Sequence, residues 1–168
     1  PLFLDAAQTV GCTDFDFAQT GADYAAFNGY KWLCGPMGIG IFICKREAAS
    51  MLEPVNLAGE SAMTYNDSKL AYKDIPDKFQ GGFRNFAAIV GLQNSISFLS
   101  GLGIANIREK IIGLANLLRE ELAKIPNVTL YGPEDQEKRT SIVSFTIGTK
   151  SPQEIVQQLE RNGFVLAV

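Results

Sequence analysis

Residues 28–40 read NGYKWLCGPMGIG and place one lysine, Lys31, between two aromatic residues and ahead of a glycine-rich turn. A solvated surface lysine needs no such surroundings, and apolar neighbours favour the neutral, nucleophilic form of the amine. Upstream, residues 2–5 read LFLD, which is typical of a short apolar strand that ends in a carboxylate, Asp5. An acid after one strand and an amine after a later strand predict a site that uses both groups.

Pyridoxal phosphate (PLP) is a cofactor that requires this pair of groups. Its aldehyde forms a Schiff base with a lysine, and a carboxylate keeps its ring nitrogen protonated. We therefore predict Lys31 as the catalytic Schiff-base lysine and Asp5 as the partner of the ring nitrogen. The alternatives are a structural lysine that extends its amine into water from a strand end and an aspartate that caps a turn.

Three motifs follow one another in an order and spacing that are specific when taken together. They are D-x-x-Q at 5–8, NGYK at 28–31 and GP-x-GIG at 35–40. They resemble the signatures of class V aminotransferases, a PLP-dependent family of fold type I that includes cysteine desulfurases and isopenicillin-epimerase-like enzymes. The resemblance continues through FQGGFRN at 79–85, where the family has Phe-Glu-x-Gly-Thr-Pro-Asn, and through residues 131–133 and 141–145.

The resemblance implies further contacts to the cofactor. Gln8 takes the position of a glutamine that hydrogen-bonds the phenolic oxygen of PLP. Asn28 and Tyr30 stand where the family usually has serine and histidine, both donors to the cofactor phosphate. Asparagine and tyrosine also carry donors, so we expect both residues to bind cofactor despite the change.

The loop at 79–85 departs further from the family pattern. The family threonine that donates to the phosphate of the neighbouring subunit's cofactor is replaced by Phe83, which has no donor. Gly82 and Arg84 are predicted to bind cofactor from this loop, since Arg84 can supply charge to a phosphate or to a substrate carboxylate. The alternative is a surface arginine on a glycine-rich loop.

The resemblance implies an α/β fold. It consists of a large PLP-binding domain with a mostly parallel sheet, followed by a small α+β domain, with homodimers that form active sites at the subunit interface. We assign residues 1–104 to the C-terminal part of the large domain and 105–168 to a bridging helix and the start of the small domain. By resemblance the chain is truncated at both ends and inactive alone, because a phosphate-binding helix, a ring-stacking residue and a substrate-binding arginine would lie outside it.

Hydrophobic periodicity and turn residues give a secondary-structure prediction for the chain. Residues 54–78 show no steady period and are predicted as a long loop. SPxE at 151–154 opens a helix with a capping residue and a first-turn proline, and this helix ends near Asn162 and Gly163. The predicted strands are 2–4, 23–27, 39–44, 128–131, 141–147 and 164–168, and the other predicted helices are 86–99 and 102–125.

Composition limits the classes of function. The net charge of −3 provides no basic field for nucleic acid, and no apolar run reaches membrane-spanning length. Three cysteines without metal-like spacing suggest reduced thiols packed in a cytoplasmic protein. The absence of histidine excludes a histidine-based triad or zinc site within this chain.

The predicted function is that of a PLP-dependent enzyme acting on a small amino acid by transamination or cysteine desulfuration. Epimerisation by the same family and a non-catalytic paralogue kept as a scaffold are the alternatives. Cys34 is interpreted as packing, because the resemblance puts the desulfurase cysteine just beyond Val168. The glycine-rich loop at 35–40 precedes a predicted strand and lacks a lysine–serine pair, so nucleotide binding is rejected.

Overall fold

The computed structural model describes residues 1–56, 58–66 and 69–168, without the side chains of residues 64–66 and 69. The contacts within the chain divide it into two compact units, Pro1–Gly103 and Ile104–Val168. Each unit contains both helices and strands.

A three-stranded sheet in the order β1-β2-β3 forms the centre of the first unit. Its strands are β1 (Phe3–Asp5), β2 (Tyr24–Asn28) and β3 (Gly40–Cys44), close to the three predicted strands. β1 pairs with β2 in parallel, and β2 pairs with β3 in antiparallel. These three strands therefore form a mixed sheet, in which β3 runs antiparallel to β2 because only 11 residues join the two strands and they contain no crossover helix.

The core of the first unit is built largely from small residues. Ala22, Ala25 and Ala49 are almost completely buried, which allows the backbones of neighbouring elements to approach closely. Helix α1 (Arg46–Ser50) follows β3 directly, and its Ala48 carbonyl accepts a 3.1 Å hydrogen bond from the Tyr24 hydroxyl. This bond fixes α1 over one end of the sheet.

Residues 54–78 contain regular structure, so the prediction of a long loop is wrong. β4 (Ala62–Asn66) and β5 (Lys69–Tyr72) pair in antiparallel, with an irregular register between Ala62 and Thr64. Strands this short pair through their backbones and leave little hydrophobic periodicity, which is why the sequence pattern did not reveal them. Leu57, Asp67 and Ser68, which also belong to this prediction, lie outside the described residues.

The predicted helix at 86–99 is confirmed and extends slightly further, as α2 (Phe86–Leu102). Asn85 caps its first turn by accepting a hydrogen bond from Ala88 N, and Gly103 ends it with a positive φ of 82°. In the described part of the chain no single helix is long and apolar enough to cross a membrane. Only the combination of α2 with the next helix, α3 (Ile104–Ala123), reaches that threshold, by length and composition.

The second unit begins with α3 (Ile104–Ala123), followed by β6 (Val128–Leu130), β7 (Phe145–Ile147) and α4 (Pro152–Glu160). β6 and β7 pair in antiparallel. Arg139 attaches the connecting loop to α3, since its side chain donates to the Pro133 and Glu134 carbonyls and to Asn116 Oδ1.

Two strand predictions in the second unit need correction. Residues 141–144 are not part of β7, which is only three residues long. Residues 164–168 form no strand, because no described strand pairs with them. A strand needs a partner for its backbone groups, and an apolar run alone cannot show whether one is present.

The predicted capping box of α4 is confirmed and gives a testable pH dependence. Ser151 Oγ accepts from Glu154 N at 3.2 Å, and Glu154 Oε2 accepts from Ser151 N at 2.8 Å. The backbone N–H of Ser151, followed by its hydroxyl, lowers the pKa of Glu154 below its ordinary value of 4.5. Because the folded state lowers this pKa, the stabilisation is complete above the ordinary value and is lost as the pH falls through the folded value.

We expect Glu154→Gln to remove this part of the acid dependence of thermal unfolding in the full-length protein. Ser151→Ala should lower stability at neutral pH by about 1 kcal/mol through loss of the cap. Glu160→Gln, at the opposite end of the same helix, is the matched control and should keep the acid dependence. An unchanged pH profile in Glu154→Gln would show that this carboxylate does not stabilise the helix.

Candidate active site

The site lies at one edge of the three-stranded sheet. Because β1 and β2 are parallel, their carboxyl ends meet there, and open α/β sheets bind ligands at such an edge. Asp5 is the last residue of β1 and Asn28 the last of β2, where Asn28 pairs with Gly40 of β3. Asp5 pairs with Ala26, and the alternation of strand side chains puts Asp5, Ala26 and Asn28 on the same face.

A cavity of about 460 Å³ opens at this edge and is lined by Asp5, Asn28 and Lys31 together. Small residues, Ala7, Ala26 and Gly40, form part of its surface, which leaves room above the sheet. Phe3 and Phe42 add an apolar wall, with ring centroids 6.5 Å apart. The structure therefore brings a carboxylate, an amide and an amine together around one space.

The two charged groups of the cavity are available to bind a ligand. Asp5 Oδ1 accepts a 3.0 Å hydrogen bond from Ala7 N, which orients the carboxylate. Neither Asp5 nor the half-buried Lys31 forms an ion pair with another described residue, and Lys31 Nζ makes no hydrogen bond within that set. An unpaired amine and an unpaired carboxylate on one cavity are suited to bind a molecule of complementary charge.

Backbone hydrogen bonds hold the segment that carries Lys31 in a closed loop. Gly29 N donates to Ile39 O at 3.0 Å, and Gly35 N donates to Gly29 O at 2.8 Å. A Cβ on Gly35 would lie 2.7 Å from Gly29 O, so this loop requires a glycine there. The glycine at this position therefore permits a tight turn beside the lysine.

Helix α2 supports the same loop from one side, a contact that the sequence did not reveal. Ser95 Oγ donates to Cys34 O at 3.0 Å, and a Cβ on Gly91 would lie 2.5 Å from Pro36 Cγ. Gly91 therefore marks the place where the helix meets the loop. A glycine inside an otherwise regular helix is the sequence signal that indicates such a contact.

The segment after β1 supports the loop from another side. Gly11 has φ +100°, and a Cβ there would lie 2.6 Å from the backbone carbon of Trp32. Gln8 does not line the cavity, and its Oε1 instead accepts a 3.0 Å hydrogen bond from Trp32 Nε1. Trp32 is thus only half-buried, and its N–H binds Gln8.

The remaining predicted site residues lie outside this cavity. Tyr30 is 43% exposed, although it precedes Lys31 directly. Gly82 and Arg84 lie on the segment before α2, where Gly82 has φ +149° and Arg84 is exposed. Three of the seven predicted residues thus lie at one cavity, namely Asp5, Asn28 and Lys31. The other four lie outside it: Gln8, Tyr30, Gly82 and Arg84.

The cysteines occupy three different environments, so packing does not describe all of them. Cys12 is buried, Cys44 is half-buried and Cys34 is exposed, and no disulfide joins them in the described part of the chain. The interpretation of Cys34 as packing is wrong. Its φ of 54° lies in the left-handed region, which the sharp turn after Lys31 imposes.

Comparison with known proteins identifies the family. The family model for aminotransferase class V matches residues 1–168. The chain belongs to the class V aminotransferase family. A probable cysteine desulfurase from Methanothermobacter thermautotrophicus is 31% identical over 94% of this chain and 39% of its own length.

Solved structures of the family agree with the fold. The cysteine desulfurase from Thermococcus onnurineus NA1 has a TM-score of 0.85 at 26% identity, and covers 97% of this chain and 40% of its own. The cysteine desulfurase CsdA from Escherichia coli has a TM-score of 0.82 at 26% identity, over 98% of this chain and 40% of its own. The chain thus spans about two fifths of the length of these relatives.

Class V aminotransferases use PLP, and the residues of the cavity fit this cofactor. PLP needs an amine for its aldehyde and a carboxylate for its ring nitrogen, and Lys31 and Asp5 carry these groups on one cavity. Asn28 adds an amide with two donors on the same wall.

Proposed function

We propose that this chain is part of a PLP-dependent enzyme of the class V aminotransferase family, with Lys31 as its Schiff-base lysine. The observation that carries the proposal is the shared cavity of Asp5, Asn28 and Lys31 at the carboxyl ends of two parallel strands. Its substrate is a small amino acid. Bound PLP supplies an electron sink that stabilises negative charge at the substrate α-carbon.

Each charged or polar residue of the cavity has its own role toward the cofactor. Asp5 keeps a proton on the ring nitrogen, which strengthens the ring as an electron acceptor. Lys31 would hold the cofactor through its amine, and the same amine would accept the proton from the substrate α-carbon as a general base. Asn28 donates to the cofactor from the wall of the cavity.

The contacts that lie outside this cavity are also part of the proposal. Gln8 donates to the phenolic oxygen, and Tyr30 binds phosphate. Gly82 and Arg84 bind cofactor from the segment before α2, where Arg84 supplies positive charge. The family resemblance supports these roles.

We propose cysteine desulfuration as the reaction, with transamination as the second candidate. The support is that the relatives named above are cysteine desulfurases or probable ones. Desulfuration requires a cysteine nucleophile, and the resemblance locates it outside residues 1–168. Epimerisation differs from transamination in that the proton returns to the substrate α-carbon. The non-catalytic alternative rests on the changes at Asn28, Tyr30 and Phe83.

The architecture of the whole enzyme belongs to the same proposal. Residues 1–104 form part of a large domain with a mostly parallel sheet, and residues 105–168 begin a small α+β domain. The enzyme is a cytoplasmic homodimer. Light scattering of the full-length protein at micromolar concentration should give twice the chain mass, and a monomeric mass would contradict the dimer.

One set of assays separates the candidate reactions in the full-length protein with PLP. Bound PLP should absorb at roughly 390–430 nm. With L-cysteine and a thiol reductant, desulfuration yields alanine and sulfide, whereas transamination yields an oxo acid and epimerisation yields the enantiomer. Absence of the band would support a non-catalytic scaffold and contradict the proposal.

A further inference from the structure

We infer that Trp32 is a positioning residue, which acts on the cofactor through Gln8. The inference rests on the proposed function, in which the Gln8 amide donates a hydrogen bond to the PLP phenolic oxygen. It concerns the direct hydrogen bond from Trp32 Nε1 to Gln8 Oε1, which is 3.0 Å long.

The bond fixes which end of the Gln8 amide faces Trp32. An indole nitrogen is a donor and never an acceptor, so only the amide oxygen of Gln8 can face it. The amide NH₂ must then point away from Trp32. No described residue accepts a hydrogen bond from that NH₂, which leaves two N–H donors available to an oxygen of a bound molecule.

Further contacts fix the backbone of both residues, Gln8 and Trp32. Cys12 Sγ donates to the Gln8 carbonyl at 3.2 Å, which fixes the turn after β1. Gly11 lies against the Trp32 backbone so closely that a Cβ would be 2.6 Å away. The bond therefore joins the segment that carries Asp5 to the segment that carries Lys31, and it holds the amide in one orientation.

The indole N–H also changes the strength of the amide as a donor. A hydrogen bond accepted by an amide oxygen polarises the group and strengthens its N–H donors. A strong, fixed donor favours the ionised form of a phenolic oxygen, because hydrogen bonding to a charged form stabilises it. Without Trp32, the phenolic oxygen would hold a proton more tightly, and the bound cofactor would titrate at higher pH.

The test is a double-mutant cycle of Trp32→Phe, Gln8→Ala and the double variant in the full-length protein. Two quantities are measured: the dissociation constant of PLP and the pH midpoint of the absorbance change of bound PLP. Trp32→Phe keeps an aromatic ring but removes the N–H donor together with part of the indole, so the comparison with and without Gln8 isolates the part that acts through the hydrogen bond. The substitution should weaken PLP binding roughly three- to tenfold and raise the pH midpoint, which matches the loss of one hydrogen bond.

The decisive comparison is the effect of Trp32→Phe when Gln8 is already alanine. If Trp32 acts through Gln8, both effects disappear in that background. Equal effects of Trp32→Phe with and without Gln8, or no effect at all, would overturn the inference. The proposed function would still stand in that case, provided that PLP is bound to Lys31. Failure of the unaltered protein to bind PLP would instead overturn the proposed function, and the inference with it.

A second variant protects the test against a folding defect. Trp32→Leu also removes the N–H and presents a different apolar shape, and the same cycle with Gln8→Ala applies to it. Gln8→Glu keeps an acceptor for Trp32 but loses the NH₂ donors. It should therefore raise the pH midpoint like Gln8→Ala, and an unshifted midpoint would contradict the role of the Gln8 donors.

Discussion

Replacing Lys31 with alanine should reduce the turnover of the full-length protein by roughly 10²–10⁴-fold, the range expected for loss of a positioned acid–base group. The physical reason is that the alanine side chain has no amine to bond the cofactor or to accept a proton. Asp5 and Asn28 remain on the cavity wall, so PLP should still bind, but weakly and without covalent attachment. The measurements are turnover with L-cysteine and the amount of PLP retained after gel filtration.

Lys45 offers a matched control in the same unit. It follows β3 at the end of the sheet away from the cavity, and its amine lies 3.3 Å from Asp23 Oδ1 in an ion pair. Lys45→Ala removes the same charge and should change turnover little. Comparable losses in the two variants would show that Lys31 contributes only to folding or to overall charge, which would contradict its catalytic role.

Gly11→Ala should produce the largest loss of stability among single substitutions around the site. A Cβ at Gly11 would meet the Trp32 carbon at 2.6 Å, the Trp32 oxygen at 2.7 Å and Leu33 N at 2.9 Å. All three are backbone atoms, so no side-chain rotation relieves the collision, and the φ of +100° adds strain for any L side chain. We expect a loss of roughly 3–4 kcal/mol, from overpacking and left-handed strain together.

Two other glycines of the first unit separate these contributions. Gly21 has φ +72°, and a Cβ there would meet no described atom within 4 Å, so Gly21→Ala should cost only the backbone strain, about 1–2 kcal/mol. Gly101 lies in α2 with open space around it, and alanine there should be neutral or stabilising by up to about 1 kcal/mol. Urea unfolding of the three variants gives the comparison. A Gly11→Ala effect no larger than that of Gly21→Ala would show that the loops at Gly11 and Trp32 are not closely packed.

The sequence was most informative where strong local signals coincide. A short apolar-leaning run predicts β2, a β-rich run bounded by turn residues predicts β3, and the cap, proline and first-turn glutamate predict α4. Asp5, Asn28 and Lys31 could be predicted as site residues because strand ends are visible in a sequence and because their motifs resemble those of a known family. The structure brings them to one cavity, and their roles stay predictions.

The predictions failed where partners distant in sequence determine the structure. The β4–β5 hairpin depends on backbone pairing between two weakly patterned segments, and residues 164–168 are apolar but have no described strand beside them. The Trp32–Gln8 bond joins residues 24 positions apart, so neither residue alone indicates it. Spacing along the chain likewise could not show that Gln8 and Tyr30 lie outside the cavity lined by Lys31.

Borohydride reduction of the full-length protein with PLP, followed by peptide mapping, is the most direct test of the proposed Schiff base. Reduction makes the bond between the cofactor carbon and the lysine nitrogen permanent, so the label marks the lysine that carries PLP. We expect the label on the peptide that contains Lys31, and its loss in Lys31→Ala. A label on another lysine, or no label despite bound PLP, would contradict the assignment of Lys31.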